Sequence, residues 1–334
     1  MLGGISMLSK RQSQILKLIV ENYIKQAKPV SSNQLCKRLH CSSATVRNEM
    51  ASLEEAGLLE KTHTSSGRIP SEEGYRYYVD HLMKPKEMNG EDMLKLQIIF
   101  HNQSLELSDC IEKSLQVVSD MTSYTAVVLG KTSHENLLKE VNVVPLGDQQ
   151  MIIIVVTDKG KVEHKTVTLE NVSLEEVKKT VDIINKLIIG TPMDEVNTKL
   201  EFEVKPIIGK YVKQHEKLYD TIYHVFHDFA EQEVNVVGRA KFLEQPEFHN
   251  VDKIKDLFHK LDDKDLIQEI KQDDSNNIEI YIGRENSLDD DVTVIKTNYK
   301  TKAEEGTLAI IGPKRMEYDR VVSLLEYIKE NIER

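Results

Sequence analysis

One tract constrains the fold of this chain more than any other: CSSATVRNEMASLEEAGLLEKTHTSSGRIP, from Cys41 to Pro70. Ser42 stands where a small polar residue caps a helix, and Gly57 stands where glycine ends one by adopting the left-handed backbone. Between them lies an apolar stripe at the i, i+4, i+7 spacing of one helical face, formed by Val46, Met50 and Leu53. The tract therefore predicts a helix between Ser42 and Gly57.

Two helices are predicted before this one. Leu8 to Gln26 repeats apolar residues at the spacing of one helical face. Ser31 and Gln34 have the spacing of a capping box, which opens a short second helix that ends near Leu39. Because only two residues then precede Ser42, the second and third helices are joined by a tight turn, as in a helix-turn-helix.

A small hairpin is predicted after the third helix. The runs LLEKT and RIP flank HTSSG, a tip of small polar residues that favours a turn. Pro70 and the cap residue Ser71 then begin a fourth helix, whose apolar face is formed by Tyr75, Tyr78, Val79 and Leu82. Three helices followed by a hairpin predict a winged helix-turn-helix.

The rest of the chain has a different organisation. KPKEMNGED, from Lys84 to Asp92, has the composition of a linker. A long amphipathic stretch follows to about Met121, with the predicted buried positions Leu94, Ile98, Leu105, Ile111, Leu115 and Val118.

Strands begin at Tyr124 and are interrupted by helical patterning. QQMIIIVVTDKG and KVEHKTVTL predict an antiparallel hairpin that turns at Asp158-Lys159-Gly160. Residues from about Ser173 to His227 are helical in pattern, after which IEIYIG, DVTVIKTNY and GTLAIIGP return to strands before a final helix. This order predicts an antiparallel sheet domain with a helical insertion, and so an α+β multidomain protein.

Charge separates the predicted head from the rest. Residues 1–83 hold 11 Lys and Arg against 8 Asp and Glu, whereas the remainder holds 33 against 47, a local charge of −14 within a total of −11. An acidic body is a poor nucleic-acid binder, while a modest positive excess on one face supplies phosphate contacts.

The second helix of a helix-turn-helix enters the DNA major groove. The face of the third helix opposite its apolar stripe carries the predicted DNA-reading residues Ser43, Thr45, Arg47, Asn48 and Ser52. Arg pairs bidentately with guanine and Asn with adenine, and Ser42 as the cap leaves backbone amides for a phosphate. In isolation Arg47 and Asn48 are better explained as solvated surface; the capped helices, the tight turn and the basic wing favour DNA binding.

The predicted wing supplies further contacts. Arg68, beside Gly67, is predicted to reach a minor groove or a phosphate. The tip residues His63, Thr64, Ser65 and Ser66 are predicted to donate to the DNA backbone.

Other classes of protein are disfavoured. No apolar run approaches the roughly 18 residues of a membrane span, and the three cysteines include no C-x-x-C pair. P-loop, G-x-G-x-x-G, G-x-S-x-G and H-E-x-x-H motifs are absent. The expectation is a cytoplasmic DNA-binding protein that is not an enzyme, needs no metal or cofactor and does not enter a membrane.

Three segments resemble one family. SSATVRNEMASLEEAGLLEKTHTSSGRIPSEEGYRYYVDHLM is similar to the N-terminal domain of the heat-inducible transcription repressors HrcA, and NVVGRAKFLEQPEF and IGPKRMEYDRVVSLLEYI resemble their C-terminal segments. The resemblance implies a dimeric repressor of chaperone operons that binds an inverted-repeat operator in double-stranded DNA. It also implies that the GroE chaperonin maintains the active state.

The resemblance also implies a domain plan. Residues 1–84 would form the winged helix-turn-helix, 85–167 a long helix and the first part of a GAF-like α/β body, 168–245 an inserted dimerisation domain, and 246–334 the second part of the body. Three rivals remain: a metabolite-responsive regulator whose body binds a ligand, an enzyme tethered to a DNA-binding head, and a repressor whose body only dimerises and which the chaperonin merely helps to fold.

Overall fold

The computed structural model describes most of the chain. The described residues are 8–62, 67–84, 86–105, 107–132, 136–147, 150–168, 172–193, 195–211, 215–230, 233–270, 277–301 and 304–334. Among them, no helix is both long and apolar enough to cross a bilayer. Helices and strands occur together throughout, which confirms the predicted α+β class.

The N-terminal part is called the head, and its described residues form four helices and the two strands of a hairpin. In chain order they are α1 (Lys10–Gln26), α2 (Ser32–Leu39), α3 (Ser43–Glu55), β1 (Leu59–Lys61), β2 (Arg68–Pro70) and α4 (Glu72–Tyr77), and α4 continues as a π-helical turn, Tyr78–Leu82. Val46, Met50 and Leu53 are buried as predicted, beside Ile15 and Ile19 of α1. The predicted winged helix-turn-helix is confirmed.

The remaining elements follow in chain order. The strands are β3 (Thr125–Thr132), β4 (Leu138–Pro145), β5 (Gln150–Thr157), β6 (Val162–Thr168), β7 (Glu233–Val237), β8 (Glu279–Ile282), β9 (Val292–Lys300) and β10 (Glu304–Pro313). The helices are α5 (Gly90–Phe100), α6 (Leu107–Thr122), α7 (Leu174–Ile188), α8 (Val196–Lys199), α9 (Lys205–Tyr211), α10 (His215–Ala230), α11 (Val251–Asp262), α12 (Lys264–Glu269) and α13 (Tyr318–Ile332). Short π or 3-10 turns occur at Leu200–Val204, Arg239–Glu244, Pro246–Phe248 and Gly283–Glu285.

The body is one antiparallel sheet with helices on both faces. Its strand order is β7-β3-β10-β9-β8. Side chains of β10 alternate between two cores: Leu308 and Ile310 pack with α6 and α13, whereas Ala309 and Ile311 pack with α11 and α12. The sheet is therefore buried on both faces.

A second unit, called the insertion, lies between β3 and β7. Strands β4, β5 and β6 form their own three-stranded sheet, and the predicted hairpin at Asp158-Lys159-Gly160 is confirmed by the β5–β6 pairing. This sheet shares a separate core with helices α7 to α10. The structure thus begins the insertion before β4 rather than near Thr168, because a strand's period does not reveal which sheet it joins.

The predicted long helix is two helices. α5 ends at Phe100, and Asn102 accepts hydrogen bonds from the backbone and hydroxyl of Ser104 before α6 begins. On α5 the buried apolar side chains are Leu96 and Ile99, whereas Leu94 and Ile98 are exposed. The prediction that Leu94 and Ile98 are buried was wrong, since the spacing defined a stripe but not which neighbour α5 packs against.

The head and the body share one hydrophobic core. Tyr75 and Tyr78 of the head contact Tyr318 of α13, with ring centroids 6.1 and 6.5 Å apart. Burial raises the pKa of all three phenols, so these rings stay neutral. The head is packed against the body rather than tethered beside it.

Candidate nucleic-acid interface

Helix α3 has well-defined ends. The Ser42 hydroxyl accepts from the Thr45 amide at 3.1 Å, which caps the first turn. At the other end Gly57 has a φ of +77°, its amide donates to the Glu54 carbonyl and the Leu58 amide donates to the Leu53 carbonyl, both at 2.9 Å. These two bonds form a Schellman motif, so the predicted role of Gly57 is confirmed.

The outer face of α3 is presented to solvent. Arg47, Asn48 and Ser52 are exposed, while the buried stripe on the other side fixes the rotation of the helix. Thr45 is half-buried, and its hydroxyl lies 2.9 Å from that of Ser42. Arg and Asn side chains on an exposed helical face are suited to bidentate contacts with guanine and adenine.

Ser43 joins the two helices of the helix-turn-helix. Its hydroxyl donates to Asn33 Oδ1 at 2.7 Å and lies 2.9 Å from the Ser32 hydroxyl. The amide of Ser31 donates to Gln34 Oε1 at 2.7 Å, which is the side-chain arm of the predicted capping box. Ser43 is half-buried and therefore orients α3 against α2, while remaining close to the exposed face.

The structure describes the base of the wing. β1 and β2 are antiparallel, with Glu60 opposite Ile69, and Val30 adds two further backbone hydrogen bonds to Arg68, each 2.9 Å long. A Cβ at Gly67 would lie 2.9 Å from Pro29 Cβ, so a larger residue there would displace the hairpin. The predicted tip contacts His63, Thr64, Ser65 and Ser66 lie outside the described residues.

Arg68 is held inside the head. Its Nε and Nη2 atoms each lie 2.7 Å from Glu54 Oε2, and its side chain is only 13% exposed. The sequence predicted a direct DNA contact; in the structure this guanidinium joins the wing to α3. Arg68 thus supports the position of the hairpin relative to the helix.

Three exposed basic residues extend the face beyond the predicted set. Lys37 and Arg38 occupy the last turn of α2, immediately before the turn to α3, and Lys61 lies in β1. Cations near the recognition helix and wing are suited to phosphate contacts. Adjacent basic residues before the tight turn were the sequence signal that could have identified Lys37 and Arg38.

Within the described part of the chain, no group of three or more His, Cys, Asp and Glu side chains is placed to hold a metal ion. Cys36 and Cys41 instead donate to the carbonyls of Ser32 and Leu39 within the helix-turn-helix.

Two family models match this chain. One, described as the HrcA protein C-terminal domain, matches residues 108–322, which include most of the body and the insertion. The other, described as an HTH domain, matches residues 11–76 in the head.

A similar protein and a similar structure agree with these matches. The heat-inducible transcription repressor HrcA of Bacillus pumilus (strain SAFR-032) is 38% identical over 333 residues, which cover 98% of this chain and 97% of that protein. A crystal structure described only as a hypothetical protein has a TM-score of 0.68 and 24% identity over 98% of each chain. The crystal structure supports the fold alone.

Proposed function

Since the chain belongs to the HrcA family of heat-inducible transcription repressors, we propose that it binds an inverted-repeat operator of chaperone operons as a homodimer. It is a DNA-binding repressor of heat-shock genes, not an enzyme, and its site of action would be the bacterial cytoplasm. One α3 helix would enter the major groove of each half-site. The observation that carries this proposal is the exposed face of α3, with Arg47 and Asn48 opposite a fully buried stripe.

The residues of the proposed interface would have different roles. Arg47, Asn48 and Ser52 would read base edges, and Thr45 with the amides after Ser42 would hold a phosphate. Ser43 and Arg68 would orient the helix and the wing. The remaining proposed contacts are in the wing: His63, Thr64, Ser65, Ser66 and Gly67.

The dimer is proposed to form through the insertion. Phe202 is 72% exposed and Ile189 is 49% exposed, although both belong to a unit with its own apolar core. A contiguous apolar patch on a surface marks a contact site, and Phe202 and Ile189 are proposed to belong to such a patch. Sedimentation of the full chain should show a dimer, and Phe202→Glu should shift it toward monomer; an unchanged dimer would exclude Phe202 from the interface.

Modulation by the GroE chaperonin is proposed from family membership. The test is a mobility-shift assay with a chaperone-operon promoter, with and without chaperonin, before and after heating. Chaperonin should increase the bound fraction, and heating should reduce it. Equal binding by soluble repressor with and without chaperonin would instead support the rival in which chaperonin only assists folding, and no shift under any condition would contradict operator binding.

A cavity in the body favours a second candidate, a ligand-responsive regulator. The cavity has a volume of about 230 Å³ and is lined in part by Tyr281, Glu285 and buried Lys296. Lys296 Nζ donates to the Ile270 carbonyl at 2.6 Å, lies 3.3 Å from Glu279 and stands 5.0 Å from the centre of the Tyr281 ring, so a positive charge lines the cavity and would attract a ligand anion. Thermal-shift screening with small carboxylates and phosphates tests this candidate; a stabilisation that Lys296→Met abolishes would support it.

A further inference from the structure

The head is fixed to the body by polar contacts around the shared tyrosine core. On α4, Arg76 Nε donates to Glu285 Oε1 at 3.0 Å, and its Nη2 contacts both Glu285 Oε2 and the Ile280 carbonyl. Nη1 also donates to Asp80 at 3.2 Å in the same helix. The Arg76 guanidinium therefore has a carboxylate and a backbone carbonyl of the body as acceptors, a planar arrangement that fixes direction as well as distance.

Further contacts lie on either side of Arg76. Glu72 accepts from the Arg284 amide at 3.3 Å and lies 3.8 Å from Lys314 Nζ. Arg315 donates to the Ile24 carbonyl at the end of α1 at 3.4 Å. A Cβ added at Gly283 would lie 2.1 Å from Glu72 Oε2, so the two surfaces approach closely at this point. The head thus rests on the body at both α1 and α4.

The covalent connection alone would leave the head mobile. Between head and body, the Lys86 carbonyl accepts from Ser323 of α13 at 2.5 Å, which leaves two residues and three Cα–Cα steps between Met83 and this anchor. Three such steps in extended chain reach about 10 Å. That reach corresponds to about three base pairs along B-DNA, so a tether of this length permits several half-site positions.

The contacts leave the DNA-reading face open. Arg47, Asn48 and Ser52 stay exposed while α4 and the end of α1 are held on the body. The docked head is therefore able to present α3 to DNA without leaving the body.

We infer that Arg76 and Glu285 are positioning residues that fix the angle of the head on the body and so restrict the dimer to one spacing between operator half-sites. This inference rests on the proposed dimer and inverted repeat. Arg76 acts through the placement of α3 and not through contact with DNA. Its removal should therefore affect spacing selectivity more than the affinity of one head for one half-site.

The test measures the affinity of the full-length dimer for a series of operators. The spacing between half-sites is varied in single base pairs over three in each direction, and a single half-site is included. Each added base pair rotates the second half-site by about a tenth of a turn. The wild type should lose about tenfold in operator affinity for each base pair of offset from the preferred spacing. Arg76→Ala and Arg76→Glu should lose less than about threefold per base pair. Their affinity for a single half-site should differ from that of the wild type by less than about twofold.

Three further variants test whether a loss of spacing selectivity comes from the placement of the head, from the change in net charge or from misfolding. The double variant Arg76→Glu/Glu285→Arg restores an opposite-charge pair and should recover part of the spacing selectivity that Arg76→Glu loses. Glu285→Gln alters only the body's side of the pair. It should weaken the dependence of affinity on half-site spacing while leaving the fold of the head unchanged. Lys17→Glu is the matched charge control, because Lys17 pairs at 3.8 Å with Glu21 in its own helix and not with the body. This substitution should change the affinity for operators of every spacing by the same factor.

The outcomes distinguish the two proposals. A wild type that shows no preferred spacing would overturn the inverted-repeat dimer, and the inference with it. A selective wild type combined with equally selective Arg76→Glu and Glu285→Gln variants would overturn the inference alone.

Discussion

Three arginines of the head serve different tasks because of what surrounds them. Arg47 is exposed on α3, Arg68 is paired with Glu54, and Arg76 is paired with Glu285 of the body. Helical spacing alone was enough to predict the exposure of Arg47. The partner of Arg68 could not be predicted, since Glu54 lies on a different element and the pair exists only once the hairpin has folded onto α3.

Arg47→Ala is expected to weaken operator binding by about 1–3 kcal/mol if the guanidinium reads a base. The loss on non-specific DNA of the same length should be smaller. Fluorescence anisotropy titrations on both DNAs measure the difference.

Arg47→Lys is the matched control, because lysine keeps the charge but lacks the planar fork that pairs bidentately with guanine. Specific binding should stay impaired in Arg47→Lys. Recovery of full affinity by lysine would show that Arg47 contacts only a phosphate.

At the scale of elements, predictions succeeded where the signal is local. A helix cap depends only on residues within one helical turn. The predicted starts of α2 and α3 at their serines and the predicted end of α3 at Gly57 therefore agree with the structure. The break between α5 and α6 depends on one short polar turn inside an amphipathic pattern, and the separate sheet of β4 to β6 depends on distant packing. Periodicity describes the face of an element but not its neighbour.

Gly57→Ala should destabilise the protein by about 1–2 kcal/mol, because an L-residue in the left-handed region is strained. An added Cβ at Gly57 has no atom within 4 Å, so steric overlap does not contribute. Thermal or urea unfolding of the full chain measures the change.

Gly90→Ala provides the comparison. Its Cβ also has open space, but Gly90 begins α5 without a positive φ. The substitution should be neutral or slightly stabilising. Equal destabilisation by both substitutions would show that backbone conformation is not the cause.

At the scale of the molecule, a loop joins several parts of the body and faces the head. Asp291 in this loop pairs with Lys253 of α11 and lies 3.2 Å from Lys314, which also approaches Glu72 of α4. Partial burial opposes ionisation, but the hydrogen bond from Lys253 and the charge of Lys314 dominate and lower the pKa of Asp291. The pKa of Lys253 is raised by the same pairing against its own desolvation.

Asp291→Asn should lower the melting temperature at pH 7. A carboxyl group with a lowered pKa stabilises the fold above its unfolded value of about 3.9, and that contribution is lost as the pH falls through the folded value. The difference in melting temperature between wild type and variant should therefore shrink between about pH 5 and pH 2.

Asp290→Asn is the neighbouring control, since Asp290 and its partner Arg284 are 74% and 81% exposed. This substitution should hardly change the melting temperature at any pH. A pH-independent difference for Asp291→Asn would show that lost packing, and not ionisation, accounts for the effect.

The place of the insertion in the body sheet has an evolutionary consequence. β3 and β7 are adjacent antiparallel strands, with Gly130 opposite Glu233, so the entire insertion occupies the position of a hairpin turn. Because each doubling of a loop costs only about 0.6 kcal/mol in closure entropy, a turn of this kind can grow into a self-folding unit at little cost to its host. Lineages could therefore exchange or reshape the insertion independently, while the sheet and the head it carries change slowly.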